Sequence, residues 1–398
     1  VKHQLGRARQ SAHTTTTTAG DAPPLIWANI AVFALTMLTA LVAVPWYGIV
    51  QGYSTAAWVS FVAFLCLTEL SVTAGYHRLW AHRAYDAHWS VRLAFMVFGA
   101  MAVQNSILIW SSNHRSHHSF VDDNDRDPYS ARRGFWFSHI GWMLRDYPSA
   151  HTTFANAKDL QRDPIVMFQH RHYLALALAT NFGFPLLTGW LCGDLWGVLL
   201  LGGVLRLVVS HHFTFFINSL AHIWGNQPYT DRNTARDNGV LAFLTFGEGY
   251  HNFHHLYGSD YRNGVRWWQW DPTKWLIRGL AALKLARNLK RVPDVMIQRA
   301  RLQMQLQRIE ARLAQAAPRW PLPDLEKLKA QLAAEYQALA TLVAEWSKAR
   351  EAWVERTRAG LAERWERTRF RRETRAVLGN MRELRRRLSQ LQAQLQTA

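Results

Sequence analysis

A chain of 398 residues, 49% of them hydrophobic and 13% aromatic, is long enough for more than one folded unit. Its 46 Lys and Arg against 28 Asp and Glu leave a formal charge of +18. The excess is heaviest in the C-terminal stretch and beside apolar runs, which points to anionic headgroups or an acidic partner and argues against nucleic acid. Cys66 and Cys192 are the two cysteines, each inside an apolar run, which excludes a disulfide framework and a thiolate metal site.

Residues 1–24 carry Lys2, Arg7, Arg9, the run Thr14 to Thr18 and the pair Pro23 and Pro24, and read as a flexible polar arm without the apolar centre of a signal peptide. Leu25 to Tyr47 is apolar and uncharged, and Ala56 to Tyr76 is interrupted by Glu69 alone. Each is long enough to cross a hydrocarbon core of about 30 Å. The link between them, around Gln51, has no charge, whereas Lys2, Arg7, Arg9, Arg78 and Arg83 lie outside the pair, which predicts cytoplasmic outer ends. Val91 to Trp110 is apolar but lies between two histidine motifs that must share a side, so it is expected to be interfacial or re-entrant. A second pair, Tyr173 to Leu191 and Leu195 to Ile217, is joined by a link with Asp194 and flanked by Arg162, Arg171, Arg232 and Arg236. Arg206 inside it is expected to face protein or to snorkel. Four transmembrane helices follow.

The composition changes near residue 290. Leu302, Leu306, Ile309 and Leu313 are spaced four, three, four; beyond Pro318, Pro321 and Pro323 the rhythm resumes at Leu325, Leu328, Leu332 and Leu339, then at Met381, Leu384, Leu388, Leu391 and Leu395. This predicts a basic helical hairpin or coiled coil over 291–398, distinct from a membrane domain over 25–290.

Nine of the 18 histidines fall into a pattern at the ends of the apolar stretches: His77 and His82 in HRLWAH, His114, His117 and His118 in HRSHH, His222 in NSLAH, and His251, His254 and His255 in HNFHH. Neutral imidazole is a common ligand for iron, copper and zinc, and this many nitrogens exceed the needs of one four-coordinate ion, so two metals are expected. In HxxHH the first imidazole shares a helix face with the others. HxxxxH turns about 140° on an α-helix, so one of His77 and His82 is expected where a helix ends. Asn218 and His222, four apart, are expected on one face, closing the site with Asn218 bound to metal directly or through water.

A lone HxxxxH is more often an interfacial accident than a metal pair; two HxxHH motifs added to it on one side of a membrane are not. His3, His13, His88, His139, His151, His170, His172, His211 and His212 lack the pattern and read as interfacial or structural. Glu248, three residues before His251, is the foremost candidate to orient an imidazole, followed by Asp86. Asp122, Asp123, Asp125 and Asp127 are further candidates for that role, while the run as a whole reads more as a solvated, turn-rich loop. Arg126, Arg132 and Arg133 are candidate contacts for an anionic ligand or a phospholipid headgroup. Trp110, Trp136, Trp142, Trp267, Trp268 and Trp270 read as interfacial anchors. A metal transporter would want polar residues through the membrane centre, where only Glu69 and Arg206 are charged.

TAGYHRLWAHR, NHRSHH, RRGFWFSHIGW, NSLAH and GEGYHNFHH resemble, in order and spacing, the membrane fatty acyl-CoA desaturases of the stearoyl-CoA Δ9 type and their bacterial relatives. The resemblance covers roughly 25–290. It implies an all-α membrane protein in which four transmembrane helices carry a cytoplasmic cap with a di-iron centre, held by the nine histidines and Asn218. It further implies two Fe2+ ions, O2 as oxidant, a separate ferredoxin-type electron donor, a fatty acyl-CoA or acyl-lipid substrate and a cis, Δ9 double bond. A bacterial inner membrane with cytoplasmic termini and active site is the expected location. A membrane di-iron hydroxylase shares the histidine motifs and is the competing reaction. The chain departs from animal members at Ser112 and Asn113, where they carry an Arg-Asp pair.

Overall fold

In the computed structural model residues 22–316, 321–360 and 363–395 are described, so Pro318 and nearly all of the expected N-terminal arm, with His3 and His13, lie outside the described residues. The chain divides into two compact units, one of residues up to Asn226 with Asn233–Lys290, the other of Gln227–Arg232 with residues from Arg291 onward.

Four helices of the first unit are long and apolar enough to cross a membrane: α1 (Trp27–Val50), α2 (Thr55–Ala81), α6 (Tyr173–Cys192) and α7 (Leu195–Ile223). They match the four runs expected from sequence, with α2 and α7 each extending about a turn further. Leu35, Leu38, Leu41, Trp46, Leu187 and Trp190 stand exposed on them, which is stable only against lipid. The links within the two pairs meet: the Ser54 hydroxyl caps α2 by accepting the Ala57 N–H at 3.1 Å and donates to Asp194 Oδ2 at 2.5 Å. Asp194 in turn caps α7 through the Gly197 N–H at 2.9 Å.

The charges inside the spans are buried and partnered. Arg206 gives its guanidinium to the Gly202 and Met101 carbonyls and to Asn181 Oδ1, and so faces protein, while Glu69 accepts from Ser210 at 2.5 Å. Arg78, counted from sequence among the flanking charges, is instead buried at the end of α2.

The doubtful apolar stretch breaks in two. Helix α3 (Trp89–Ala100) has 12 residues, about 18 Å at 1.5 Å each and too short for a crossing. The chain then reverses through Val103 and Asn105, both at positive φ (50° and 74°), and enters α4 (Ile107–Phe120). Helices α5 (Pro164–Arg171), α8 (Gly239–Leu244), α9 (His251–Leu256) and α10 (Pro272–Ala282) complete the unit, with the antiparallel pair β1 (Asp86–Ala87) and β2 (Ala286–Arg287). Tyr76, Tyr85, Phe95, Ile107, Leu108 and Ile277 form the main core where α2, α3, α4 and α10 meet.

The second unit is three helices, α11 (Asp294–Ala316), α12 (Leu322–Arg358) and α13 (Arg364–Gln394). Most residues picked out by rhythm share one core: Leu302, Leu306, Ile309 and Leu313 of α11, Leu325, Leu332 and Leu339 of α12, which Trp346 joins at the same sevenfold spacing, and Met381, Leu384, Leu388 and Leu391 on α13. Helix α11, which carries the first of the three stripes, shares this core with the other two helices.

Candidate metal centre

The imidazoles at the ends of these helices form two groups. His77, His82, His114, His118 and His254 make the first; His117, His222, His251 and His255 make the second, and within each group the ligand nitrogens all lie within 4.8 Å of one another. Helix geometry explains the sorting. On α4 and α9 the residues four apart, His114 with His118 and His251 with His255, enter the same group, while His117 and His254, three from the first member, cross to the other.

His77 and His82 share a group because α2 widens. Over Ser71–Ala81 the backbone is π-helical, so the His82 N–H bonds the His77 carbonyl five residues back at 3.0 Å and the two rings lie 4.8 Å apart. The α-helical turn of 140° does not apply here. The expectation that one of them ends a helix holds for His82. The single face expected for Asn218 and His222 is lost, because the helix steps at Ser219 (φ −109°, ψ −76°). Asn218 ends the preceding run half-buried, and its amide makes no hydrogen bond to a described residue.

All nine Nε2 atoms point inward. His77 and His118 lie 3.0 and 2.9 Å from His254, and His82 lies 2.8 Å from His114. In the second group the spacings are 3.1 Å for His222 to His251, 3.0 Å for His251 to His255 and 3.3 Å for His117 to His255. A divalent ion with bonds to nitrogen of about 2.1 Å, cis donors at right angles, sets neighbouring nitrogens about 3 Å apart. The residues present therefore fit a metal in each group.

The outer ring nitrogens fix the tautomers of three ligands. His77 Nδ1 lies 2.8 Å from the carboxylate oxygen Glu248 Oε2, an approach that only a protonated nitrogen makes, and His117 Nδ1 donates to Asp127 Oδ1 at 2.8 Å. The Thr234 hydroxyl gives its one proton to Asp122 Oδ1 at 2.6 Å, so toward His222 Nδ1, at 2.9 Å, it must accept. Each of these Nδ1 atoms is thus protonated and each Nε2 lone pair is free to bind metal. Burial, reinforced by the neighbouring imidazoles, holds His82, His114, His118, His251, His254 and His255 well below the usual histidine pKa, which keeps them neutral.

Glu248 is the candidate named from sequence, but it serves His77 rather than the neighbouring His251. Burial pushes its carboxyl up, and Arg78 and then His77 outweigh this and leave it below the ordinary glutamate value. Arg78 bridges Glu248 at 2.8 Å and Asp271 at 3.0 Å, and the Asn263 amide supplies a further donor to Glu248 at 2.6 Å. Asp86 is excluded: it is exposed and accepts from Asn288. The acidic run is not uniformly solvated. Asp123 and Asp125 are flanked by buried Asp122 and Asp127, which reach the second group, because the loop folds onto the Asp127 carboxylate through the Asp122 and Tyr129 N–H groups, both at 3.1 Å.

Trp110 is not an interfacial anchor, since its ring stacks on His114 at 4.9 Å, and Trp142 packs on Tyr129. Trp136, Trp267, Trp268 and Trp270 are exposed as anchors would be. Arg126 pairs with Asp123, and Arg133 lies over the Phe137 and Tyr147 rings, while Arg132 stands 3.9 Å from Asp122 with its side chain 60% exposed. Thr234 carried no signal in the sequence beyond its polarity, and Asp127 stood out only as one member of an acidic run of candidates.

Four membrane-length helices, together with two groups of converging imidazoles that could each hold a metal ion, define the class as a multi-pass membrane protein with a candidate metal centre. Residues 54–288 match the family model described as fatty acid desaturase, and the chain belongs to that family. It is 41% identical over 294 residues to acyl-CoA desaturase 1 of Saccharomyces cerevisiae, covering 73% of this chain and 56% of that one. It is 40% identical over 305 residues to a probable acyl-CoA desaturase of Schizosaccharomyces pombe (75% and 64%), and 37% identical over 287 residues to human stearoyl-CoA desaturase 5 (70% and 85%). The chain thus spans less than two thirds of the length of the two yeast relatives. These relatives are eukaryotic and lend no support to the bacterial subgroup expected from sequence.

Proposed function

We propose that this chain is an O2-dependent oxidoreductase that desaturates a saturated long-chain acyl-CoA, forming a cis double bond at Δ9, with two irons held by the nine histidines. The observation that carries this reading is the convergence of nine Nε2 atoms in two groups within a desaturase-family chain, joined to relatives named for acyl-CoA desaturation. When bound, the two irons would supply O2 activation with two electrons from a separate donor protein. The chain's own part is positioning and exclusion of water. Neutral imidazoles bind without adding charge, Glu248, Asp127 and Thr234 hold three of them in the binding tautomer, and Trp110 covers His114. Asn218, whose amide has no hydrogen-bond partner among the described residues, is the further ligand for the four-histidine group, directly or through water. Arg132, the least engaged of the three arginines, is the contact for the anionic head of the acyl carrier.

The cluster ends of the spans form a cap on the cytoplasmic side, as the flanking Arg83, Arg162, Arg171, Arg232 and Arg236 support. Residues 25–290 form the catalytic domain, and 291–398 a helical extension that the reaction itself does not need. The fatty acid profile of a host that lacks Δ9 desaturation, expressing this chain, tests the reading. A new cis-Δ9 monounsaturated acid is expected; a hydroxy acid, or no new product from metal-loaded protein with a competent donor, would replace it.

A further inference from the structure

In the second unit α11 and α13 lie side by side, with Gln305 donating to Ser389 Oγ at 3.4 Å, and a groove of about 390 Å³ runs between them. Arg301, Arg308 and Arg312 stand on its α11 wall and Arg385 on its α13 wall, and no carboxylate lines it. Positions 301, 305, 308 and 312 are spaced four, three, four, so the three arginines and Gln305 form one stripe on α11. Three other arginines of α13 are paired: Arg387 holds Glu335 with two bonds of 2.7 and 2.8 Å, Arg386 holds Glu383 and Arg369 holds Glu373, each at 2.9 Å. The four groove arginines make no ion pair among the described residues. Two are held in place by uncharged groups instead, Arg308 by the Gln227 carbonyl at 2.6 Å and Arg301 over the Tyr229 ring at 5.4 Å. The fold therefore concentrates positive charge in a concave surface and leaves it uncompensated.

The dimensions choose the occupant. From Arg301 to Arg312 the row is about 16 Å long at 1.5 Å per residue, more than a single phosphate can engage. A headgroup layer is flat where this surface is concave, and the apolar lining, Leu302 and Pro228, offers no bed for an acyl chain. A helix bearing carboxylates at the same spacing of four, three, four presents an acid about every turn and would meet the guanidiniums in register. We propose that the groove between α11 and α13 is a docking site for an acidic helical segment of a partner protein. The inference stands on the second unit alone and does not depend on the reaction proposed above.

The test uses the full chain in nanodiscs of zwitterionic lipid and a fluorescent synthetic helix carrying Glu at the four, three, four spacing, beside a scrambled peptide of equal charge. The matched helix is expected to bind about tenfold or more tightly than the scrambled one, a difference of about 1.4 kcal/mol. R301Q/R308Q/R312Q should abolish that preference and R385Q, on the opposite wall, should weaken it. R364Q/R367Q/R371Q, an equal loss of charge at the far end of α13, should leave it intact, with helicity by circular dichroism unchanged in all three. Equal binding of the two peptides, or equal loss in the two triple variants, would reduce the groove to general charge attraction and overturn the proposal. Displacement of the peptide by tripolyphosphate at a lower charge concentration would make it a small-anion site. If the groove variants lost binding to phosphatidylserine vesicles and kept the matched helix, the surface would belong to a membrane.

Discussion

Thr234 has one hydroxyl proton and Asp122 takes it, which leaves His222 as donor on its outer side and acceptor on its inner side. Replacing Thr234 by Val removes the acceptor without changing the shape, and Asp127→Asn weakens the equivalent hold on His117. Metal affinity of the four-histidine group should fall about 10–100-fold in either variant, while the five-histidine group keeps its ion. Metal analysis after graded chelation would show the content dropping from two per chain to one; loss of both ions together would contradict the separate control of the groups. Glu248→Gln acts on a buried ion pair, because Arg78 would be left with Asp271 alone. We expect a loss of about 3–5 kcal/mol in stability, read as a lower unfolding temperature in detergent. Acid acts on the same groups with a definite sign. His82, His114, His118, His251, His254 and His255 have lowered pKa values when folded, burial being the main cause. Below about pH 6.5 the unfolded chain takes up protons that the folded chain refuses, and stability falls until the folded values are reached. Metal-free protein should melt at a lower temperature at pH 5.5 than at pH 7.5, and equal melting would show that the clusters are not neutral. The nine histidines were legible because their spacing is regular. Asp122 and Asp127 were not, since nothing in DDNDRD distinguishes the two carboxylates that the loop buries from the two that it exposes.

At the scale of elements, the π-helical stretch of α2 decides where the first histidine motif points. It packs on α3 at a place with no spare room: a Cβ on Gly99 would overlap the Tyr76 ring, beside His77. Gly99→Ala should therefore destabilise by about 1–3 kcal/mol and loosen the five-histidine group before the other, seen as earlier release of one metal. Unchanged stability and metal content would mean that this contact is not needed. The short α3 carries the topology with it. Cysteines placed at the exposed Trp89 and Phe120 should label from one side of sealed vesicles and one at Gly52 from the other; opposite labelling of Trp89 and Phe120 would make α3 a crossing. Hydrophobicity gave the four spans within about a turn, and the same signal passed Val91 to Trp110 as apolar. What ends that stretch is the pair Val103 and Asn105 at positive φ, residue types that do not announce a reversal, so the break was reachable only from the demand that the histidines share a side. The wide turn was hidden for a similar reason: HxxxxH suits i→i+5 winding, but nothing in its composition enforces that winding over an α-helix.

For the whole molecule, the composition changes near residue 290, and the two compact units divide between Lys290 and Arg291 with one exception. Gln227–Arg232 belongs to the second unit although it lies far from it in sequence. Such a detour is polar and short, and periodicity says nothing about it. Removal of residues 291–398 takes away the partners of Gln227 and Tyr229 but none of the described partners of the nine histidines. The truncated protein should hold two metals per chain and retain desaturation with an artificial donor, as followed by metal analysis and product formation. Loss of metal on truncation would place the extension inside the catalytic fold. The leucine rhythm was enough to find all three helices of that unit, since α11, α12 and α13 each keep their apolar residues in one stripe.

The two histidine groups also act as knots in the chain. Ligands paired within them are separated by 32 residues for His82 and His114, 138 for His117 and His255, and 177 for His77 and His254. An ion seated in each group ties these distant segments as a cross-link does, and the entropy it removes from the unfolded chain grows with the lengths enclosed. A single backbone cut between His118 and His222 would then leave two pieces stapled by metal, and a chelator, rather than a detergent, would be the reagent that lets them part.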